Sequence, residues 1–389
     1  MDRERRAKIG IFFAALVVAL GGIIYELLLG TVSSYLLSDS VLQFSLTIGF
    51  MLFGMGIGSW MVSRYTPQAE ASFIINECLI ALIGANAPAF FFWVFNHGLP
   101  LYPIFFGTVL LIGILIGLEI PLLFHLVNQK QDDGTRVLSR ILSLDYLGSL
   151  IASLAFPLLF LPKLGLIRTA YVVGLFNACA ALLMYVFFYD RIRWPKAIGV
   201  GVLVVVLGLS GGTIYANTLA TRLEQGMYKD QIIFSEQSPY QKIVLTRFRE
   251  DVRLFLNANL QFSSVDEYRY HEPLVHVPLA AAPIKKRVLF LGGGDGLALR
   301  EAQKHQDIEH MTLVDLDSRV TKLAMTHPLL RELNKEAMMD DRLTIRNEDA
   351  FAFLRETTST YDVIIADLPD PNDEGLAKLY SREMYELVR

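Results

Sequence analysis

Near the C-terminal end of the chain, four apolar runs are each followed by a carboxylate. Asp295 follows RVLFLGGG, Asp315 follows MTLV, Asp349 follows LTIRNE, and Asp367 follows DVIIA with Asp370 three residues on. One acid after a strand is usually a helix cap. Four at successive strand ends point instead to a shared ligand face, because open α/β sheets bind ligands beyond the carboxyl ends of their strands. Asp315 lies 20 residues past Asp295, where an acid can hydrogen-bond the hydroxyls of a ribose. The loop Gly292-Gly293-Gly294-Asp295-Gly296 lets a ligand approach the backbone closely, which makes Gly292 and Gly294 candidate contacts. An acid inside that loop repels pyrophosphate. The implied ligand is a phosphate-free, positively charged nucleoside, and S-adenosyl compounds fit because their sulfonium is cationic.

The elements that must position these residues can be read from the pattern. RVLFLGGGDGLALREAQKH reads as a buried strand, a glycine turn and an amphipathic helix. MTLVDLD, LTIRNEDA and YDVIIADLPDP supply three further strands with helical segments between them. Residues 285–389 are therefore expected to form a doubly wound, Rossmann-like sheet of the class I methyltransferase-like kind. That sheet is expected to be incomplete at its C-terminal side. Its apolar fourth strand would be an exposed edge, so a longer native protein or a covering second chain is anticipated. Residues 232–284 alternate short β-rich runs with turns and read as a small β-hairpin unit closing on a helical stretch, DEYRYHEPLVHVPLA. Residues 218–231 read as a polar helical linker.

The first 217 residues have a different composition. The whole chain is 53% hydrophobic and 19% charged, against roughly 25% charged in soluble domains. Seven runs, roughly 9–30, 41–63, 72–95, 101–127, 141–163, 167–189 and 197–217, are long enough to span ~30 Å of hydrocarbon. A multi-span α-helical membrane bundle in a lipid bilayer is expected, with the first run a retained helix rather than a cleaved signal. Gly54, Gly56 and Gly58 in one run, and Gly113 and Gly117 in another, allow close helix approach.

Arg3, Arg5, Arg6, Lys8, Arg64, Lys130, Arg136, Arg140, Arg191, Arg193 and Lys196 fall on one side, against Lys163 and Arg168 on the other. This places the N-terminus in the cytoplasm. Seven crossings would then carry the soluble half outside, whereas a nucleoside donor is made inside; cytoplasmic placement at the cell (inner) membrane is favoured here. Glu26, Glu77, Glu119 and Asp145 lie within spans, where a carboxylate is costly. They either line a cation path or sit hydrogen-bonded near the interface. The net charge of −4 and the lack of a basic run exclude nucleic acid as a partner. Cys78 and Cys179 fall in apolar runs and form neither a disulfide framework nor a metal site, so no metal is expected.

A specific resemblance joins these pieces. Tyr240-Gln241, Asp266-Glu267, Tyr270-His271-Glu272, GGGDG at 292–296, VDLD at 314–317, NEDA at 347–350 and ADLPDP at 366–371 occur in the order and spacing of the spermidine synthase family. The stretch resembles a polyamine aminopropyltransferase over about residues 231–389, and the apolar half is similar to the membrane-bound bacterial subgroup. The resemblance implies that Gln241, Asp315, Asp349 and Ala350 hold the adenosine end of decarboxylated S-adenosylmethionine, the co-substrate. It implies that His271, Asp295 and Asp370 hold a polyamine, that Tyr270 lines its channel, and that Asp367 is the catalytic base. No prosthetic group is implied, and self-association into a homo-oligomer is allowed for. The chain departs from the family at Asn257-Ala258, where an aspartate and glycine are usual, and at Asn372-Asp373-Glu374-Gly375, where a Gly/Pro-rich gate is usual. The gate bears on the acceptor: putrescine, giving spermidine and methylthioadenosine, or another amine. Two rivals stand beside this reading, a methyltransferase of the same fold and a transporter with a nucleoside-sensing α/β domain.

Overall fold

The computed structural model describes residues 3–37, 40–62, 68–127, 134–371 and 374–389. Arg64, Lys130 and Asn372-Asp373 lie outside the described residues, as do the side chains of residues 3–9, Ser40, Glu374 and Gly375. The chain divides into two compact units, Met1–Met227 and Tyr228–Arg389.

The first unit is all helix: α1 (Arg3–Leu37), α2 (Ser40–Met61), α3 (Ala69–Asn96), α4 (Leu101–Val127), α5 (Gly134–Ala155), α6 (Leu161–Phe188) and α7 (Pro195–Gln225). Six helical stretches are long and apolar enough to cross a membrane, with Gly134–Arg191 taken as one. Within that stretch the sequence suggests a turn between runs 141–163 and 167–189. The coil in fact passes from α5 through a π-helical turn, Phe156–Phe160, into α6 and breaks only at Gly165. Gly165 has φ 69°, a backbone state that glycine alone adopts without penalty. Residues 218–225, read from sequence as linker, continue α7.

Two of the glycine sets do the expected packing. A Cβ on Gly58 would lie 2.0 Å from the Ile114 carbonyl oxygen, and one on Gly117 would lie 2.2 Å from that of Met55. Gly54 and Gly113 make the same backbone-on-backbone contact, so α2 and α4 meet with no side chain between them. Gly56 faces open space. Leu150 and Leu154 of α5 and Val200, Leu203 and Leu207 of α7 are exposed on the exterior of the unit.

The second unit begins with four antiparallel strands in sequential order: β1 (Gln231–Gln237), β2 (Lys242–Phe248), β3 (Asp251–Leu256) and β4 (Asn259–Ser263). Helix α8 (Tyr268–Ala281) follows. Then β5 (Arg287–Gly292), β6 (His310–Val314), β7 (Leu343–Arg346) and β8 (Val363–Asp367) form a parallel sheet in the order β7-β6-β5-β8. All four are in register through β5 and β6, and the order reverses beside β5, where such sheets open a ligand crevice. The connecting helices are α9 (Leu297–Ala302), α10 (Ser318–Thr326), α11 (Pro328–Leu333) and α12 (Ala350–Glu356); α13 (Glu374–Ala377) and α14 (Arg382–Val388) come after β8. Val288, Phe290, Met311, Leu313 and Ile365 are buried against α8 and α9 on one face of the sheet, while Leu289, Leu291 and Val314 pack on α12 and α14 on the other. Both faces are covered, which is why these strands read as unbroken apolar runs.

The turn between β3 and β4 is two residues, Asn257 (φ 48°) and Ala258 (φ 64°). Such tight turns need positive φ at both positions, which glycine supplies without strain. Ala258→Gly is expected to raise the stability of the hairpin by up to ~1 kcal/mol, read as a higher denaturation midpoint with an unchanged slope. A lower midpoint would show that the alanine methyl packs usefully.

Candidate active site

The glycine loop and β8 are built against each other. Gly292 and Gly293 have φ of 79° and 76°. A Cβ on Gly292 would sit 1.9 Å from the Asp367 carbonyl oxygen, and one on Gly293 would sit 2.9 Å from Asp367 Oδ2. Gly294 is similarly closed by Asp315, whose Oδ2 would be 2.5 Å from an added Cβ. The loop therefore lets two strand-end carboxylates lie directly on its backbone.

Asp315 accepts hydrogen bonds from the backbone N–H of Gly294 (3.0 Å) and of Asp317 (2.9 Å). Burial nevertheless pushes its pKa up to about 6, with Asp317 and Asp367 adding repulsion and the two N–H donors opposing. Asp295 accepts from the Leu297 N–H at 2.8 Å. Burial raises it to about 6 as well; His271 opposes the shift, and Asp367 adds to it. The Asp367 carboxylate accepts from the Tyr270 hydroxyl at 2.9 Å. Its pKa is raised by burial, against the pull of His271 and Tyr270. The Tyr270 phenol is held above its ordinary value by burial and by Asp367. Asp295, Asp315, Asp367, Tyr270 and His271 thus form one electrostatically linked group.

His271 is buried on α8. Its Nδ1 faces two acceptors, Glu267 Oε2 at 2.8 Å and the Glu267 carbonyl at 2.9 Å, so Nδ1 carries the hydrogen. Burial disfavours its cation, but Glu267, Asp295 and Asp367 together raise its pKa. Glu267 is in turn gripped by both terminal nitrogens of the buried Arg300, at 2.9 and 3.0 Å, the fork geometry of a strong guanidinium–carboxylate pair. Glu267 belongs to the matched Asp266-Glu267 pair but takes no role from the resemblance, and Arg300 belongs to no matched motif. The signal was there: Glu267 precedes His271 by four residues, one helical turn, and Arg300 interrupts the apolar run LAL.

The remaining candidates bond to residues outside that group. Asp349 caps α12 through the Ala352 N–H (3.0 Å) and pairs with Lys378. Burial works upward on its pKa, but Lys378 and the N–H donors bring it below the ordinary range. Of the four strand-end carboxylates, Asp295, Asp315 and Asp367 are linked to one another, while Asp349 is paired with Lys378. Its neighbour Ala350 is buried at the first turn of α12. Gln241 donates to Asp317 Oδ2 at 3.1 Å, beside the Ser238 hydroxyl at 2.6 Å, and Asp317 caps α10 through the Arg319 N–H. Gln241 is thus tied to Asp317, the last residue of the VDLD motif, whose own N–H donates to Asp315. Asp370 is exposed, close to Tyr380, whose hydroxyl donates to the Leu368 and Pro369 carbonyls. No cluster of three or more His, Cys, Asp or Glu suited to a metal occurs among the described residues.

A parallel sheet with a glycine loop and buried acids at its strand tips defines a Rossmann-like transferase domain. Comparison with known proteins narrows the class. Residues 267–389 match the family model described as the Spermine/spermidine synthase domain. A polyamine aminopropyltransferase of Leptospira interrogans serogroup Icterohaemorrhagiae serovar copenhageni is 43% identical over 97% of this chain and 76% of its own. One from Oceanobacillus iheyensis is 41% identical over 99% of this chain and 75% of its own. Among solved structures, spermidine synthase from Thermotoga maritima is 33% identical, over 40% of this chain and 52% of that one, with a TM-score of 0.37. The chain belongs to the polyamine aminopropyltransferase family and is an aminopropyltransferase.

The raised pKa of Asp295 has a consequence for stability. Its folded form holds a proton more tightly than the unfolded chain does. The stabilisation is full below about pH 4 and is lost as pH rises through about 6. Asp295→Asn, which keeps the acceptor for Leu297, is expected to be more stable than the native chain by on the order of 1–3 kcal/mol at about pH 8. The gap should shrink by about pH 5. A pH-independent difference in melting temperature would contradict an ionised, buried Asp295.

Proposed function

We propose that the enzyme transfers an aminopropyl group from decarboxylated S-adenosylmethionine to putrescine, giving spermidine and methylthioadenosine. The observation that carries this reading is the environment of Asp367. Its carboxylate is half-buried, bonded to the Tyr270 hydroxyl and laid on the Gly293 backbone, with Asp295 and His271 in electrostatic range. An alkylamine with a pKa of ~10 is almost wholly protonated at neutral pH and cannot attack carbon. Asp367 takes one ammonium proton. The freed lone pair forms the new N–C bond to the propyl carbon as the C–S bond breaks, and sulfur leaves as a neutral thioether.

Tyr270 orients the Asp367 carboxylate, and Asp295 and Asp370 hold the remaining ammonium. Gln241 and Asp315 hold the nucleoside, with Gly292 and Gly294 admitting it to the backbone. Asp349 and Ala350 border the adenine end once Lys378 yields. The negative charge of Asp295 also disfavours the carboxylate of intact S-adenosylmethionine, which separates this reading from a methyltransferase. His271 fits as the positive partner that keeps neighbouring acids ionised; Glu267 and Arg300 hold its ring in place.

We further propose that α1–α7 lie in the cell membrane and that the catalytic unit faces the cytoplasm, where its donor is made. The six apolar helical stretches support membrane placement, and the bias of Lys and Arg toward one set of loops supports a cytoplasmic N-terminus; the side of the catalytic unit rests on where its donor is made. Protease added to intact cells is expected to spare the catalytic unit and to cleave it once cells are opened. Cleavage in intact cells would place it outside, as seven full crossings from a cytoplasmic N-terminus require.

The reaction is tested with purified full-length protein, decarboxylated donor and a panel of amines, read by mass. Putrescine is expected to gain one aminopropyl unit, and Asp367→Asn to slow that gain by about 10²–10⁴-fold without loss of folding. An undiminished rate in the variant removes Asp367 as the base; modification of another amine but not putrescine overturns the acceptor.

A further inference from the structure

The helical unit contains a buried polar centre that the transfer reaction does not use. Glu77 of α3 and Glu119 of α4 are 0% and 3% exposed, and the two acids lie within electrostatic range of each other. Two like charges side by side and out of water are relieved when one proton is kept between them. Asn177 of α6, 1% exposed, donates its Nδ2 to Glu77 Oε2 at 2.9 Å. Tyr25 of α1, 0% exposed, lies within Coulombic range of both acids. Among the described residues neither acid has a Lys, Arg or His partner; the ion pair described in this unit is Arg191 with Glu70.

The centre is also short of donors. Asn177 Oδ1, Tyr25 OH and the Oε1 atoms of Glu77 and Glu119 are buried without a hydrogen-bond partner, as is Oδ1 of the adjacent Asn76. A buried polar group left unpaired is costly, so five such oxygens need an explanation. The backbone is shaped to bring two of them in. A Cβ on Gly21 would lie 2.6 Å from Asn177 Oδ1, and one on Gly84 would lie 2.4 Å from the Tyr25 ring. Glycine at those positions lets the amide and the phenol reach the acids. Asp145 of α5 adds a third, half-buried negative group within range of Glu119.

We propose that this centre binds one monovalent cation, either the terminal ammonium of an alkylamine or an alkali ion. A primary ammonium has three donors and no acceptor, which complements the unpaired amide and carboxyl oxygens, and the Tyr25 oxygen can accept as well. An alkali ion meets the same oxygens as ligands. Either balances one carboxylate while the shared proton balances the other. The site is separate from the catalytic unit and does not depend on the assigned reaction.

Full-length protein in detergent micelles tests it by equilibrium binding of radiolabelled putrescine and, separately, radiolabelled sodium, with choline keeping ionic strength constant. One of the two cations is expected to bind saturably at a site lost in Glu77→Gln/Glu119→Gln. If putrescine is that ligand, the native protein binds one more per chain than the variant does. Aminopropyl transfer by the variant is expected to stay within about twofold, which also shows that it folds. Tyr25→Phe removes an unpartnered hydroxyl, so it should leave melting of the cation-free protein unchanged or raised while weakening cation binding about tenfold. Binding of neither cation beyond that of the double variant, or binding unaffected by Tyr25→Phe, would leave a proton-sharing pair only and overturn the proposal.

Discussion

Negative charge held out of water at the tips of β5, β6 and β8 is the constraint on which the catalytic unit depends. Asp295, Asp315 and Asp367 repel one another, and burial raises the pKa of each. Their ionisation is sustained locally by backbone N–H groups at Asp315 and Asp295, by the Tyr270 hydroxyl at Asp367, and by His271. His271 does this only because Glu267 fixes its Nδ1 hydrogen, and Glu267 only because Arg300 compensates it. The chain from Arg300 to Asp367 runs from a buried ion pair through His271 to the carboxylate proposed as the base. A cationic ligand completes this balance, which makes an S-adenosyl sulfonium and an alkylammonium natural occupants and a phosphorylated nucleotide a poor one.

Much of this was legible in the sequence because the decisive residues sit at strand ends. An apolar run of strand length bounded by glycine or aspartate fixes both the element and the side from which its last residue projects, so β5, β6, β7 and β8 and the acids after them could be read in order. The hairpin unit was legible for a similar reason, since β-rich runs separated by short turns leave few alternatives. Asp349 shows the limit. It follows its strand as its counterparts do, but Lys378, twenty-nine residues later, takes its charge. A pairing across that distance leaves no periodic trace. Glu267 and Arg300 escaped for the converse reason: a charge network that is buried looks, in sequence, like ordinary polar residues on a helix.

The helical unit divides along the same line. The length and apolarity of its runs were plain, and the small residues of α2 and α4 identified a close contact that the backbone geometry bears out. The passage from α5 to α6 was not readable, because a π-helical turn and one glycine at positive φ carry no polar signature. The acids Glu77 and Glu119 stood out as costly, but their apposition depends on the register between α3 and α4, which composition does not encode.

Gly292 ties the loop to the strand beside it. Its missing side chain is replaced by the Asp367 carbonyl, so the nucleoside-facing loop and the residue proposed to accept the proton behave mechanically as one part. A displacement of either drags the other. Donor and acceptor geometry are then set together, and the distance between the two reacting molecules is a property of the backbone rather than of any adjustable rotamer.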